Sequence, residues 1–211
     1  MTKQVVVVDY GIGNVFSVCN ALSRVGASPI LSEDPVVIAK AERVILPGVG
    51  AFSKAMENLR NLGLDDAIAT FIETGRPFLG ICIGMQVLME RSTEFGDHVG
   101  LGHIKGSVER IPSISISGSR IKVPHIGWSK LSNNPYAIKN DFIFPTNESY
   151  FYFVHSYACK PSSKENVFAT ASYHGERIAA IISLDNILGV QFHPERSGPN
   201  GLSFLNKFIK Q

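Results

Sequence analysis

The first half of the chain alternates between short, uniformly apolar runs and longer segments whose apolar residues recur at helical spacing. Residues 4–11 form a β-branched run that ends at a glycine, which is typical of a buried strand in a parallel sheet. Residues 14–26 place their apolar side chains on one helical face, with Asn14 as a possible cap and Gly26 at the end. The same pattern predicts strands at 28–33, 43–48 and 77–82, and helices at 35–41, 52–63, 65–75 and 84–92.

The second half of the chain has a different pattern, because the helical periodicity gives way to short strand-like segments. These segments are residues 103–111, 119–126, 149–160, 167–175, 177–185 and 186–195, and an amphipathic helix over 201–211 follows them. Strands and helices that alternate through short links predict a doubly wound α/β sheet. We therefore expect a single domain, residues 1–211, with an open α/β sheet and a mixed or antiparallel β extension.

Composition and charge narrow the class of protein. With 211 residues, 45% apolar and 18% charged, the chain is expected to be globular rather than disordered. The formal net charge of +2, without a cluster of Lys and Arg, argues against nucleic-acid binding. The apolar run near the N-terminus is too short for a signal peptide or a membrane span, so a cytoplasmic location is expected.

The three cysteines, Cys19, Cys82 and Cys159, have neither a paired disulfide pattern nor CxxC metal spacing. In a reducing compartment each is a free thiol. Cys19 and Cys159 are interpreted as small buried hydrophobic residues. We expect no metal site, because no His/Cys/Asp cluster has ligand spacing, and no ATP site, because the phosphate-binding GxxxxGK[ST] loop is absent from the sequence.

Cys82 lies in a different setting from the other two cysteines, within the segment Gly80-Ile-Cys-Ile-Gly84. A buried strand that ends in a Gly-x-nucleophile-x-Gly turn before a helix is the pattern of a nucleophile elbow. The start of the helix would stabilise a thiolate through its free N–H groups. Because glycine-rich strand ends are common, the segment by itself leaves inert packing and catalysis equally open.

A thiol nucleophile needs a base, and His193 is the informative histidine among the six. It follows an apolar strand in "GVQFHPERS", and Glu195 lies two residues further on with a stiff proline between them. That spacing lets the carboxylate turn back and orient the imidazole, which gives a Cys-His-Glu triad. The alternative is a histidine at a strand end with Glu195 in a surface ion pair.

Acyl transfer also needs an oxyanion hole, and the segment "LPGVGAF" (46–52) is a candidate for it. It ends the third predicted strand, which lies beside the fourth in a doubly wound order. The backbone N–H groups of Val49 and Ile83 are the expected donors. The alternative is an ordinary turn between a strand and a helix.

Five segments together resemble the class I (triad) glutamine amidotransferases, and within them the glutaminase subunits of imidazole glycerol phosphate synthases. They are "LPGVGAF", "GICIGMQ", "HIGW", "YFYFVHSY" and "GVQFHPERS", in this order. The resemblance extends from "DYGIGN" to the "HPE" strand, nearly the whole chain. It implies a flavodoxin-like, doubly wound open sheet and a glutaminase that needs no cofactor.

The resemblance also implies a role for each site residue. Cys82 attacks the side-chain amide of glutamine, His193 moves the proton, and Glu195 holds the imidazole. The turn that contains Val49 would need to flip for its N–H to reach the oxyanion. Substrate contacts are implied for Gly50, Gln86, Glu94, His155, Ser156 and Tyr157. A solvated carboxylate at a helix end is the alternative for Glu94.

In this family the ammonia passes to a (β/α)₈-barrel cyclase partner, which makes imidazole glycerol phosphate and an aminoimidazole carboxamide ribotide. The resemblance places the partner-binding face around Asn14, Trp128, Tyr152 and Arg196, together with the rest of the "HIGW" segment (125–128). An exposed aromatic residue suits an interface hot spot. A core position is the alternative for Trp128, the only tryptophan.

Two positions depart from the family pattern: Ser129 stands where Asn is usual, and Arg196 where Lys is frequent. Both are expected at the partner interface. They leave open a paralogue that feeds ammonia to a related barrel in another pathway, such as amidino-sugar synthesis.

Three other interpretations remain at this stage. A dinucleotide-binding domain is disfavoured, because Phe16 stands where the third glycine of the fingerprint is required. A non-catalytic binding module is disfavoured by the intact Cys82, His193 and Glu195. A stand-alone cysteine hydrolase of the same fold stays open.

Overall fold

A computed structural model describes residues 3–115, 118–137 and 149–211. In chain order the first elements are β1 (Gln4–Val8), α1 (Val15–Arg24), β2 (Ser28–Ser32), α2 (Pro35–Lys40), β3 (Val44–Leu46), α3 (Phe52–Asn61), α4 (Leu64–Glu73), β4 (Phe78–Ile81), α5 (Ile83–Gln86) and β5 (Met89–Ser92). They are followed by β6 (His98–Val99), β7 (Ile104–Arg110), β8 (His125–Asn133), β9 (Tyr150–His155), β10 (Tyr157–Pro161), β11 (Val167–Tyr173), β12 (Glu176–Leu184), β13 (Ile187–Val190) and α6 (Gly198–Phe208).

Helices α1 and α2 begin where a side chain satisfies a free backbone N–H group. Asn14 Oδ1 accepts a hydrogen bond from the Ser17 backbone N–H at 3.4 Å, at the start of α1. Asp34 Oδ1 accepts one from the Val36 N–H at 2.8 Å, at the start of α2, where Pro35 needs no partner. The predicted Asn14 cap and the buried apolar face of α1 are confirmed.

The described strands form a nine-stranded sheet in the order β2-β1-β3-β4-β13-β12-β11-β8-β9 and a four-stranded sheet in the order β10-β7-β5-β6. In this sheet order, the first five strands are parallel to one another: β2, β1, β3, β4 and β13. The remaining neighbours pair in antiparallel fashion: β13 with β12, β12 with β11, β11 with β8, and β8 with β9. The predicted α/β fold class, with its mixed β extension, is confirmed.

Alternate residues of the parallel strands face two apolar layers. Val6 and Leu46 belong to one layer, with side chains of α2, α3 and α4. Val7 and Ile45 belong to the other, with side chains of α1 and α6. Burial on both faces explains why these strands read as uniformly apolar runs. Because β1, β3, β4 and β13 are parallel, their carboxyl ends lie at the same edge of the sheet, where polar residues can lie close together.

Two predicted elements are wrong. Residues 84–92 are not one helix, because α5 ends at Gln86 and Met89–Ser92 forms β5, which pairs with β7. Pairing in the second sheet overrides the local helical pattern there. Residues 119–126 are not a strand either: Arg120 makes an isolated bridge, Pro124 lacks the N–H that a ladder needs, and β8 begins at His125.

Among the residues that the structure describes, no helix has both the length and the apolar character that a membrane crossing requires. The three cysteines are free; Cys159 is buried, and Cys19 is partly buried on α1. Burial raises the pKa of both these thiols. Their interpretation as packing residues is consistent with this environment.

Candidate active site

Cys82 lies between β4 and α5 with φ +55° and ψ −107°. Its backbone N–H donates to Val190 O at 2.7 Å, so the residue still pairs with β13. Its carbonyl oxygen accepts the N–H groups of Met85 and Gln86 at 3.0 and 3.1 Å, which start the helix. A positive φ at a residue with a Cβ costs about 1–3 kcal/mol and is typical of functional sites. The backbone therefore turns sharply at the thiol, as a nucleophile elbow does.

The glycines on either side of Cys82 are needed for close packing. A Cβ at Gly84 would overlap the carbonyl oxygen of Leu46, and a Cβ at Gly80 would overlap the carbonyl oxygen of Gly84. The sequence pattern Gly-x-Cys-x-Gly thus reflects the contact of the elbow with β3 and with its own helix.

His193 and Glu195 form a buried pair. His193 Nδ1 donates to Glu195 Oε1 at 2.8 Å, and the two side chains are 4% and 2% exposed. The 3₁₀ turn Pro194–Arg196 directs the carboxylate back toward the ring. The surface ion pair considered from the sequence is therefore wrong.

The backbone of His193 is fixed from two sides. Its N–H donates to Tyr152 O at 2.9 Å, and its carbonyl accepts from Ser197 Oγ at 2.6 Å. Ser197 Oγ in turn accepts the Tyr152 N–H at 2.9 Å. These hydrogen bonds hold the backbone of His193 against β9 and so fix the position from which its ring extends into the cavity.

The second nitrogen of the ring, His193 Nε2, is buried and makes no well-aligned hydrogen bond within the described part of the chain. Burial lowers the pKa of His193, but its interactions with Cys82 and Glu195 outweigh burial and raise the pKa above its usual value. His193 and Cys82 line the same cavity, and hydrogen bonds between catalytic groups are commonly long or poorly aligned in an unliganded site.

Gln191 is a site residue that the sequence reasoning missed. Its side chain is fully buried, and its Nε2 lies 3.6 Å from Cys82 Sγ. Its Oε1 accepts from Gln86 Nε2 at 3.0 Å. The available signal was its place two residues before His193, on the same side of an apolar strand.

The turn after β3 lies beside the elbow. The Tyr10 hydroxyl donates to Pro47 O at 2.8 Å, and a Cβ at Gly48 would overlap that hydroxyl. Gly50 has φ +94°, a conformation that favours glycine. Val49 is exposed and lines the same cavity as Ile83.

A cavity of about 400 Å³ brings the predicted groups together. Its lining consists of Val49, Gly50, Cys82, Ile83, Gln86, Glu94, Pro124, Val154, His155, Ser156, Tyr157 and His193. Every predicted oxyanion and substrate-contacting residue is in this lining, whereas Glu195 lies behind His193. The size falls within the range of small-molecule sites.

Glu94 is a buried residue at the rim of this cavity. Its Oε2 accepts the Phe52 N–H at 2.6 Å, at the first residue of α3. The side chain of Ala51, which precedes that helix, cannot accept this bond, so the carboxylate replaces the missing cap. The alternative of a solvated carboxylate is wrong, since Glu94 is 8% exposed.

The residues predicted for the partner face lie near one another. Trp128 is 54% exposed and meets Tyr152 edge to face, with ring centroids 6.1 Å apart. The Arg196 guanidinium lies 5.1 Å from the Tyr152 ring centroid. Asn14 is exposed at the start of α1, which packs against the Pro194–Arg196 turn. The alternative of a core tryptophan is wrong.

Ser129 is not on this face, contrary to expectation. It is 9% exposed, and its Oγ lies 2.9 Å from Nε2 of the buried His125. Successive residues of β8 face opposite sides, so Ile126 and Trp128 are exposed while His125 and Ser129 face inward. Ser129 therefore gives no support for an altered partner surface, and Arg196 alone remains of the two departures.

No group of three or more His, Cys, Asp or Glu side chains in residues 3–115, 118–137 and 149–211 could hold a metal ion. The chemistry available to the described site is that of a thiol, an imidazole–carboxylate pair and nearby backbone N–H groups.

This chain belongs to the class-I glutamine amidotransferase family, whose model matches residues 6–211. Within the family it is 43% identical to imidazole glycerol phosphate synthase subunit HisH 1 of Legionella pneumophila strain Lens, over 99% of each chain. It is also 43% identical to the HisH subunit of Bacillus subtilis strain 168, over 97% of this chain and 94% of that one.

Solved structures support the fold. The structure of PurLQS from Thermotoga maritima has a TM-score of 0.73 and 21% identity, and covers 100% of this chain and 99% of that one. A structure described as a glutamine amidotransferase has a TM-score of 0.71 at 17% identity, with 98% and 99% covered. At these identities the likeness concerns the architecture alone.

Proposed function

We propose that this chain is the glutaminase subunit of an imidazole glycerol phosphate synthase and supplies ammonia for histidine biosynthesis. The observation that carries the proposal is the meeting of the strained Cys82 elbow with the buried His193–Glu195 pair in one cavity. The names of the near full-length relatives support the synthase assignment.

The proposed reaction begins when Cys82 Sγ attacks the side-chain amide carbon of glutamine. His193 Nε2 takes the thiol proton and returns it to the leaving nitrogen, which departs as ammonia. Glu195 accepts the Nδ1–H, which fixes the tautomer that leaves Nε2 free to act as the base. Water then attacks the glutamyl thioester with His193 again as base, and glutamate leaves.

The oxyanion of each tetrahedral intermediate is proposed to bind the N–H groups of Val49 and Ile83. Ile83 begins α5 directly after the nucleophile, and Val49 lies between the two glycines of the neighbouring turn. A donor aimed at the developing charge is worth about 10²–10³ in kcat. The Val49 peptide is proposed to rotate into place when the site is active.

Glutamine recognition is proposed for the rest of the lining. The Glu94 carboxylate suits the substrate ammonium group, and Gln86 offers an amide oxygen. Gly50 and the segment His155-Ser156-Tyr157 would surround the substrate's backbone end. No cofactor is needed for this chemistry.

The face formed by Asn14, Trp128, Tyr152 and Arg196 is proposed to bind a (β/α)₈-barrel cyclase subunit. Ammonia would pass directly to that partner, which makes imidazole glycerol phosphate and an aminoimidazole carboxamide ribotide. The relatives are named as subunits, which supports a heteromeric assembly. We place this reaction in the cytoplasm and treat residues 1–211 as one catalytic domain.

The test is glutamine hydrolysis measured as glutamate release, with and without a barrel cyclase subunit. We expect weak hydrolysis by the chain alone and a strong increase when the partner and its ligand are added. Full activity in isolation, unchanged by the partner, would indicate a stand-alone hydrolase and contradict the synthase assignment.

A further inference from the structure

A chain of buried polar groups connects β8 to the wall of the cavity. Ser129 Oγ lies 2.9 Å from His125 Nε2, and His125 Nδ1 lies 3.0 Å from His155 Nε2. His155 Nδ1 lies 2.8 Å from the carbonyl oxygen of Tyr157. The three side chains are 9%, 1% and 6% exposed, in that order.

The carbonyl group of Tyr157, at the end of this series of polar groups, sets the direction of the hydrogen bonds. Tyr157 O can only accept, so His155 carries a proton on Nδ1, and a neutral His155 then accepts at Nε2. His125 must then donate from Nδ1 and accept at Nε2, and the Ser129 hydroxyl must donate. We call Ser129, His125, His155 and the Tyr157 carbonyl the relay. Every hydrogen bond in it is donated toward Tyr157 O, with each imidazole neutral and protonated on Nδ1.

The surroundings favour neutral rings. His125 stacks between Phe153 and Tyr173, with centroid distances of 4.9 and 4.0 Å. Burial, with a smaller contribution from His174, lowers the pKa of His125 to about 4.

The environment of His155 has the same effect. Burial lowers its pKa to about 3; the Tyr157 hydrogen bond opposes the shift, while His125 and His193 add to it. Both rings of the relay therefore stay neutral near pH 7.

At its far end the relay meets Gln86. Tyr157 O also accepts from Gln86 Nε2 at 3.1 Å, and the same nitrogen donates to Gln191 Oε1 at 3.0 Å. Both amide hydrogens are thus used. Gln86 Oε1 is buried and has no partner among the described residues, and Gln86 lines the cavity. An unpaired buried acceptor of this kind is suited to a ligand N–H.

We propose that Ser129, His125 and His155 are positioning residues for glutamine binding. The relay holds the Tyr157 carbonyl, which holds the Gln86 carboxamide with Oε1 turned toward an N–H of the substrate. This inference rests on the proposed glutaminase function and adds two buried residues, His125 and Ser129, to its machinery.

The kinetic test uses the complete complex with its barrel partner and two variants. Ser129→Ala removes the first donor, and His125→Phe keeps the stacked ring but loses both hydrogen bonds. Each is expected to raise the KM for glutamine about tenfold, the loss of roughly one net hydrogen bond, while kcat at saturation changes less than about twofold. Ser129→Thr retains a hydroxyl donor and should restore most of the loss.

His174→Asn is the matched control, since it removes an exposed imidazole beside His125 without breaking the relay, and Asn tolerates the positive φ there. Its KM should equal that of the wild type. An unchanged KM in Ser129→Ala would overturn the relay, and this variant decides the matter if His125→Phe does not fold. A loss confined to kcat would also overturn it.

An independent readout is the ¹⁵N spectrum of the histidine side chains in the full chain near pH 7. Two buried imidazoles should be neutral and protonated at Nδ1, and Ser129→Ala should shift the Nε2 resonance of one of them. Protonation at Nε2 in either ring would contradict the relay. If the wild-type complex hydrolyses no glutamine, the proposed function fails, while these spectra still decide the geometry.

Discussion

At the scale of single residues, Cys82 and its flanking glycines have different roles in the same turn. The cysteine takes the strained conformation, and the glycines allow the backbone of β3 and α5 to approach. The pattern Gly-x-Cys-x-Gly could be recognised in the sequence because close backbone approach leaves a residue-type signature. The buried Gln191 contact with Cys82 could not, since glutamine has no fixed position in an elbow motif.

Gly84→Ala should destabilise the fold because the added Cβ would overlap Leu46 O. We expect a loss of about 1–3 kcal/mol in the free energy of unfolding, the usual cost of overpacking. Urea denaturation measures it. Gly75→Ala measures strain without overlap, since its φ is +74° but its added Cβ meets no atom within 4 Å. An unchanged free energy of unfolding in Gly84→Ala would show that the contact with Leu46 is unimportant.

At the scale of elements, the sequence pattern predicted the parallel half of the sheet well. Strands buried on both faces have uniformly apolar sequences, and capped helices have marked ends, so β1 to β4 and α1 to α4 could be located from local signals. Residues 89–92 could not, because their pairing partner, β7, lies well ahead along the chain. Ser129 was placed on the wrong side of β8 because the family pattern does not show which face is buried.

The histidine relay between β8 and β9 predicts how stability depends on pH. The folded pKa values of His125 and His155, about 4 and 3, lie below the unfolded value of 6.5. At pH values between the folded and the unfolded pKa, the unfolded chain binds more protons than the folded chain does. Protonation of these two residues should therefore lower the free energy of unfolding as the pH falls below 6.5. The neighbouring residues His174 and His193, whose charges act on the two rings, are present in both of the proteins compared.

Urea unfolding of the wild type and His125→Phe between pH 7.5 and 4.5 measures this effect. The wild type should lose stability more steeply, by up to one proton, which is about 1.4 kcal/mol per pH unit. Parallel curves for the two proteins would mean that His125 is protonated as readily in the folded state as in the unfolded chain.

At the scale of the whole molecule, the residues proposed for catalysis lie at one edge of the nine-stranded sheet. The carboxyl ends of β1, β3, β4 and β13 supply Tyr10, the Pro47–Gly50 turn, Cys82 and His193. The antiparallel extension adds the cavity wall from β9 and the face that carries Trp128 and Tyr152 from β8 and β9, and β10 of the four-stranded sheet adds Tyr157 to the cavity wall. The site therefore combines the two halves that the sequence patterns distinguish.

On the proposed partner-binding face, which Trp128 shares with Asn14, Tyr152 and Arg196, the exposed Trp128 is the expected hot spot for the barrel partner. Trp128→Ala should raise the Kd of the complex by about 30-fold or more, the cost of losing a hot-spot residue of at least 2 kcal/mol. Titration calorimetry measures the Kd. Val36→Ala, at an exposed apolar residue of α2, should leave it unchanged. A Kd unaffected by Trp128→Ala would place the partner on another surface.

The central claim is that Cys82 carries out glutamine hydrolysis while the partner carries out synthesis. The most direct measurement compares Cys82→Ala with the wild type, in complex with the barrel subunit, for synthesis from glutamine and from added ammonium salt. We predict that the variant loses synthesis from glutamine completely and keeps synthesis from ammonium at the wild-type rate. Equal loss of both activities, or retained activity with glutamine, would contradict the account.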